Sequence, residues 1–238
     1  MMSFNDPAHS ASSRDGHDAA RVCLSLSEIN ALCVKAARGS GLSWGEAEEA
    51  GWAAVWLTRA GLAGPSIVLN WLRDCAMLAR PLPATGHWKA TSGPLCPLRA
   101  GLALTDHAGL PEGPGPDGLH IDTVAHPRLI LPFVARAATR LDLPLRIGWA
   151  GAEITLRPAG TGGPLTLPPG QPDETPADLR IDTPDRRDTD AIPTVYSVPA
   201  QGIALTDWRA LDALALRVTA PPSDASRARA GAAGDDND

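Results

Sequence analysis

The spacing of apolar positions predicts three consecutive helices in the first third of the chain. In SLSEINALCVKAARGSG, residues 25–41, Ile29, Leu32, Cys33 and Ala36 recur along one helical stripe. Ser25, with Glu28 three residues on, makes a capping box that starts this helix, and Gly39 or Gly41 ends it. SWGE repeats the box with Ser43 and Glu46 and opens a second helix through AEEAGWAAVW. A third follows AGLAGP, with Pro65 near its first turn and Val68, Trp71, Leu72, Cys75 and Leu78 at helical spacing. The connections are short, which favours antiparallel neighbours in a small bundle.

The pattern then changes. From Arg80 to Gly118 the chain is rich in Pro, Gly and small residues, ending in LPEGPGPDG, and it reads as a loop-rich connection without regular elements. LHIDTVA, residues 119–125, alternates apolar with polar and predicts a strand. HPRLILPFVARAATRL, residues 126–141, has helical spacing despite Pro132. LPLRIGWAGAEITLRP predicts a hairpin, two alternating runs meeting at Ala150-Gly151. Shorter strands are expected at PLTL, DLRID and TVYSV, and a final helix at TDWRALDALAL with Thr206 as its cap. Residues 1–21 and 219–238 are small and polar and predict disordered ends.

The fold class implied is α+β, with an N-terminal three-helix unit (22–79) packed on a mostly antiparallel sheet. The connection 80–118 leads to an α+β region, 119–218, packed with the helical unit, and a disordered tail lies at each end.

Composition excludes more than it assigns. A net charge of -6, with Lys35 and Lys89 the only lysines and the arginines scattered, disfavours a nucleic-acid surface. The N-terminus lacks an apolar stretch suited to a secretory signal. No segment approaches the roughly 20 apolar residues of a membrane span, so a cytoplasmic protein is expected. Cys23, Cys33, Cys75 and Cys96 form no CxxC pair and are expected to remain thiols, with Cys33 and Cys75 on apolar helical faces. The Arg and Ala bias fits a GC-rich bacterial genome.

Two stretches carry a family resemblance. LSLSEINALCVKAARGSGLSWGEAEEAG has a Leu-Cys helix, an Ala-Ala-Arg-Gly turn and a Trp-Gly followed by Ala-Glu-Glu-Ala. The tail PPSDASRARAGAAGDDND has a Ser-Arg step and an acidic Asp-Asn-Asp end. On these residues the chain resembles an uncharacterised bacterial family, domain of unknown function 3726. The resemblance implies a bacterial cytoplasmic protein of similar length with no activity attached.

Three constellations are candidate sites. On a helical wheel Glu48 shares a face with Trp44, Gly51 and Val55, so burial is expected, with Arg38 on the preceding turn as its structural partner. The functional alternative makes Glu48 a general acid or base beside the Trp44 indole, and the third reading is a merely exposed Glu. In HIDTVAH, His120 and Asp122 share one strand face and could share a metal, whereas His126 stands too far along the strand to join them. The plainer alternative is a solvent-facing polar edge, and neither a metal nor any other cofactor is expected. In TGHWKATSG, a loop with His87, Trp88 and Lys89 offers an aromatic and a cation for an anionic ligand; the plainer alternative is a surface loop with its Trp tucked in. The chain shows no GxSxG elbow between a strand and a helix, no GxxxxGK[ST] loop, no GxGxxG after a strand and no HExxH. Two function classes remain: a non-catalytic accessory or binding protein of a metabolic assembly, with a protein partner or small-molecule ligand, or a hydrolase or lyase using Glu48 with a histidine.

Overall fold

The computed structural model describes residues 20–158, 175–184 and 202–218. The elements run β1 (Arg21–Val22), α1 (Leu26–Gly39), α2 (Trp44–Arg59), α3 (Gly64–Asp74), β2 (Pro81–Leu82), β3 (His87–Ala90) and α4 (Pro97–His107). There follow β4 (Leu119–Val124), α5 (Leu131–Leu141), β5 (Leu145–Trp149), β6 (Ala152–Leu156), β7 (Ala177–Asp182), β8 (Ile203–Ala204) and α6 (Leu205–Ala215). The fold is α+β, as expected. The expected strands at PLTL and TVYSV, and nearly all of both tails, lie outside the described residues.

The three N-terminal helices start where their caps dictate. Glu28 N donates to Ser25 Oγ at 3.2 Å and Ser25 N donates back to Glu28 Oε2 at 2.7 Å, which satisfies two N–H groups the helix itself leaves over. Ser43 and Glu46 repeat this at α2. Helix α2 then buries Ala47, Ala50, Gly51, Ala53, Ala54 and Leu57. This small-residue face lets two backbones approach: a Cβ on Gly51 would stand 2.5 Å from Val34 Cγ2 and 2.7 Å from Asn30 Oδ1 of α1. α6 packs on the other side of α1 and also touches α3, so the helical unit gains a fourth member from the far end of the chain. Next to it β1 and β8 pair antiparallel, Val22 opposite Ile203. Thr206 is not the cap of α6. The N-cap position is Ala204, without a side-chain hydrogen bond, and Thr206 lies inside the first turn.

The larger sheet has the order β2-β3-β4-β7-β5-β6, antiparallel throughout except for the parallel β3–β4 pair. Trp88, Leu119, Ile121, Leu179, Ile181, Leu145, Ile147, Ile154 and Leu156 are buried. Their alternation with polar neighbours marks one covered and one open face. Helix α5 contacts β5 and β6, α4 contacts β2, and α2 contacts both α4 and α5. The helical unit therefore meets the sheet through α4 and α5, and one apolar cluster runs across all of them. The β5–β6 turn is the expected Ala150-Gly151, with φ of 46° and 82°, the pair of positive values a two-residue hairpin of this hand requires.

The stretch 80–118 corrects the expectation of a loop without regular elements: it contains β2, β3 and α4. Pro97 opens α4 as a first-turn residue, where its missing N–H costs nothing, and Leu98, Gly101, Leu104 and Thr105 recur as its buried face. Proline punctuated the sequence without breaking the helix. Pro132 is likewise in the first turn of α5, which explains why helical spacing survives it. LPEGPGPDG is irregular, as read.

Candidate metal centre

The carboxylates of α2 distribute differently from their expected roles. Taking about 100° per residue, the buried alanine face is centred about 100° from Trp44 and about 140° from Glu48. Trp44 is 66% exposed and Glu48 is exposed. The expected burial of Glu48, and its pairing with Arg38, are thus corrected: tryptophan was taken to mark the inner face, whereas the close α1–α2 approach selects alanine. Arg38 instead stacks over the Trp44 ring at 4.6 Å and donates to the Leu42 carbonyl. The partnered carboxylates are the other two. Arg99 Nε donates to Glu46 Oε1 at 2.9 Å, and Arg136 Nη1 stands 2.8 Å from Glu49 Oε2 while its guanidinium covers the Trp52 ring at 3.6 Å. Burial pushes the Glu46 carboxyl up, but hydrogen bonds from Arg99 and from the Ser43 backbone and hydroxyl, with the Arg99 charge, outweigh it and hold the group below its ordinary value.

The sheet assembles what the sequence left apart. His87 and Lys89 lie on strand β3, not in a loop, and Trp88 between them points the other way into the core. It is 0% exposed, with its Nε1 donating to the Glu112 carbonyl at 2.7 Å. Trp88 is therefore unavailable to a ligand, which corrects its place among the binding residues. The parallel register sets His87 beside His120. Two residues on, Asp122 returns to the same face. His87 Nε2 is 2.6 Å from Asp122 Oδ1, His120 Nε2 is 3.7 Å from the same oxygen, and the two rings meet edge-on at 4.9 Å. One ligand atom from each of the three lies within 4.8 Å of the others. Their side chains are 38–45% exposed, so an ion has access.

Local backbone fixes this arrangement. Ile121 opposes Leu179 but Val124 opposes Ala177, so β4 carries one extra residue directly after the site. Thr123 N and Oγ1 both donate to Asp178 Oδ1, at 2.8 and 2.9 Å, and hold that bulge. His126 takes no part, as its distance along the chain implied. It is buried on the turn after β4, with Nε2 3.2 Å from Asp74 Oδ2 of α3.

Two imidazole nitrogens and one carboxylate oxygen suit a divalent d-block ion, and four-coordinate bonds near 2.1 Å place donors roughly 3.4 Å apart. The separations of 2.6 and 3.7 Å bracket that value, so small side-chain rotations would fit an ion. Three protein donors leave coordination positions open. Sequence reasoning found His120 and Asp122 as a pair and His87 separately; what it missed was the strand that joins them.

The likeness read from the sequence holds for one part of the chain. Residues 24–94 match the family model described as Protein of unknown function (DUF3726). That span covers α1–α3, β2 and β3, and so includes Arg38, Trp44, Glu48 and His87 but neither His120 nor Asp122. The tail that also suggested the family lies outside it. No curated protein matches the chain. Among the described residues no helix is long and apolar enough to cross a membrane.

Proposed function

We propose that the chain is a bacterial, cytoplasmic binding protein of accessory type, and that its ligand is a divalent d-block metal ion held by His87, His120 and Asp122. The observation that carries this reading is the convergence of three ligand atoms of suitable chemistry within 4.8 Å on an accessible sheet face. The bacterial and cytoplasmic parts rest on the family resemblance and on four cysteines read as thiols. A small-molecule hydrolase is the second reading, and the open coordination positions favour it, since a metal with three protein donors has room to activate water. Glu48 supports neither reading, being exposed and without an ion pair among the described residues.

The test is a titration of the metal-free chain with Co²⁺, followed by visible absorbance, with Zn²⁺ in competition. One equivalent should bind, and His120→Ala or Asp122→Asn should weaken it by about tenfold or more, because each removes one of three donors. Glu48→Gln should leave the affinity unchanged. Equal Co²⁺ binding by the parent chain and by a variant lacking all three side chains would defeat the proposal.

A further inference from the structure

The geometry points to a small oxyanion, a phosphate or carboxylate group, as the second ligand of this site, bound between the metal ion and the Arg180 guanidinium. This rests on the metal reading just given. Across the open face the register sets one straight row: His87 opposite His120, His120 opposite Arg180, Arg180 opposite Gly148, Gly148 opposite Glu153. Directly paired residues share a face and stand about 5 Å apart, so Arg180 flanks the imidazole of His120 from the next strand. The side chain of Arg180 is 70% exposed, while its Nε donates to Asp182 Oδ2 at 3.1 Å and so fixes the plane of the guanidinium. Lys89, exposed on the same face of β3, extends the positive border on the far side.

The next position in the row has no side chain. At Gly148 the face opens into a cleft of about 440 Å³ lined by Arg146, Arg180, Asp182 and Glu153 among others. Arg146 Nε donates to Asp182 Oδ1 at 2.8 Å, so one carboxylate serves both arginines. Two arginines against Asp182 and Glu153 leave the cleft near neutrality. The triad adds one negative charge when empty and a net positive one with a divalent ion in place. The site therefore attracts an anion only after the metal has bound, and an oxygen on the metal with a second on Arg180 spans one strand spacing. The remainder of the ligand extends over Gly148 into the cleft.

The test adds inorganic phosphate, and acetate in a separate series, to the Co²⁺-loaded chain and follows the visible band of the metal. A saturable shift is expected with one or both anions, which also tells phosphate from carboxylate preference. Arg180→Gln should weaken anion binding by about tenfold, and Arg180→Lys by less, with Co²⁺ affinity unchanged or slightly improved by the lost positive charge. Because Arg180 is exposed, the melting curve of Arg180→Gln should overlay that of the parent. Co²⁺ binding without any anion-induced shift, or a shift that is the same in Arg180→Gln, overturns this inference and leaves the metal reading standing. Failure of Co²⁺ to bind is seen before any anion is added and removes both.

Discussion

Two glycines of α2 offer a matched pair that tests how the helical unit is held together. Gly51 is buried against α1, and a Cβ there would meet Val34 Cγ2 at 2.5 Å, Asn30 Oδ1 at 2.7 Å and the Asn30 carbonyl oxygen at 3.0 Å. Gly45, six residues earlier, is exposed with nothing within 4 Å. Gly→Ala in a helix is favourable by about 1 kcal/mol where space allows, because alanine loses less backbone freedom on folding. At Gly45 that gain should appear, reduced toward 0.5 kcal/mol near the helix end. At Gly51 it is opposed by overpacking of about 1 to 3 kcal/mol, since the contact with Val34 Cγ2 forces α1 and α2 apart or moves Val34, and the Asn30 backbone carbonyl at 3.0 Å leaves little room to shift, whereas the exposed Asn30 amide can turn aside. The net effect of Gly51→Ala should be a loss of about 1 kcal/mol, and Gly51→Leu should lose more. In a protein of this size each kcal/mol moves the melting temperature by about 2 to 4 °C. Urea unfolding of both variants measures the difference directly. If Gly51→Ala proves as stabilising as Gly45→Ala, the α1–α2 approach is looser than described and the alanine face is not what selects it.

Other outcomes follow from the charges and thiols. Glu46 is held below its ordinary value in the folded chain, so its contribution is present above the unfolded carboxylate pKa of about 4.3 and is lost as the pH falls through the lower folded value. Solvent screens this partly exposed pair, so Glu46→Gln should cost about 1 kcal/mol or less at neutral pH, and the gap from the parent should close on acidification; a gap constant from pH 7 to pH 3 contradicts the Arg99 pairing. Burial pushes the Cys33 thiol up to about 12. Burial, then the neighbouring Cys96 and Asp74, lifts Cys75 to about 11, and burial raises Cys96 as well, whereas Cys23 is exposed. An aromatic disulfide reagent at pH 8 should titrate one thiol rapidly and three only after denaturation, and rapid reaction of two or more refutes that burial.

The helices were legible because their ends are written locally. Ser25–Glu28 and Ser43–Glu46 need only three residues of context, and the Ala150-Gly151 hairpin needs two. Which face of a helix turns inward is another matter. On α2 the apolar signal is spread around the helix, with Trp44, Trp52, Val55 and Trp56 on one side and alanines on the other. Hydrophobicity alone ranks the tryptophans first, but the distance between helix axes is set by the smallest residues at the crossing, and an arginine can cover an aromatic ring at the surface, as Arg38 covers Trp44 and Arg136 covers Trp52. The error over Glu48 came from that choice, and a sequence offers no local signal that would have reversed it.

The site was illegible for a different reason, which lies in the topology. His87 and His120 are 33 positions apart, and they meet only because β3 and β4 pair in parallel. Parallel neighbours need a crossover connection, and here it carries α4, the helix hidden in a stretch read as loop. Once α4 is recognised, β3-α4-β4 becomes a strand–helix–strand unit, and the residue facing His120 follows from register. The HxD pair on β4 then acquires His87 as a third donor without further assumption. Arg180 enters by the same rule from the antiparallel side, through its pairing with His120. A missed helix thus removed a whole ligand set, because in a sheet the chemistry of one strand is completed by its neighbours rather than by its own sequence.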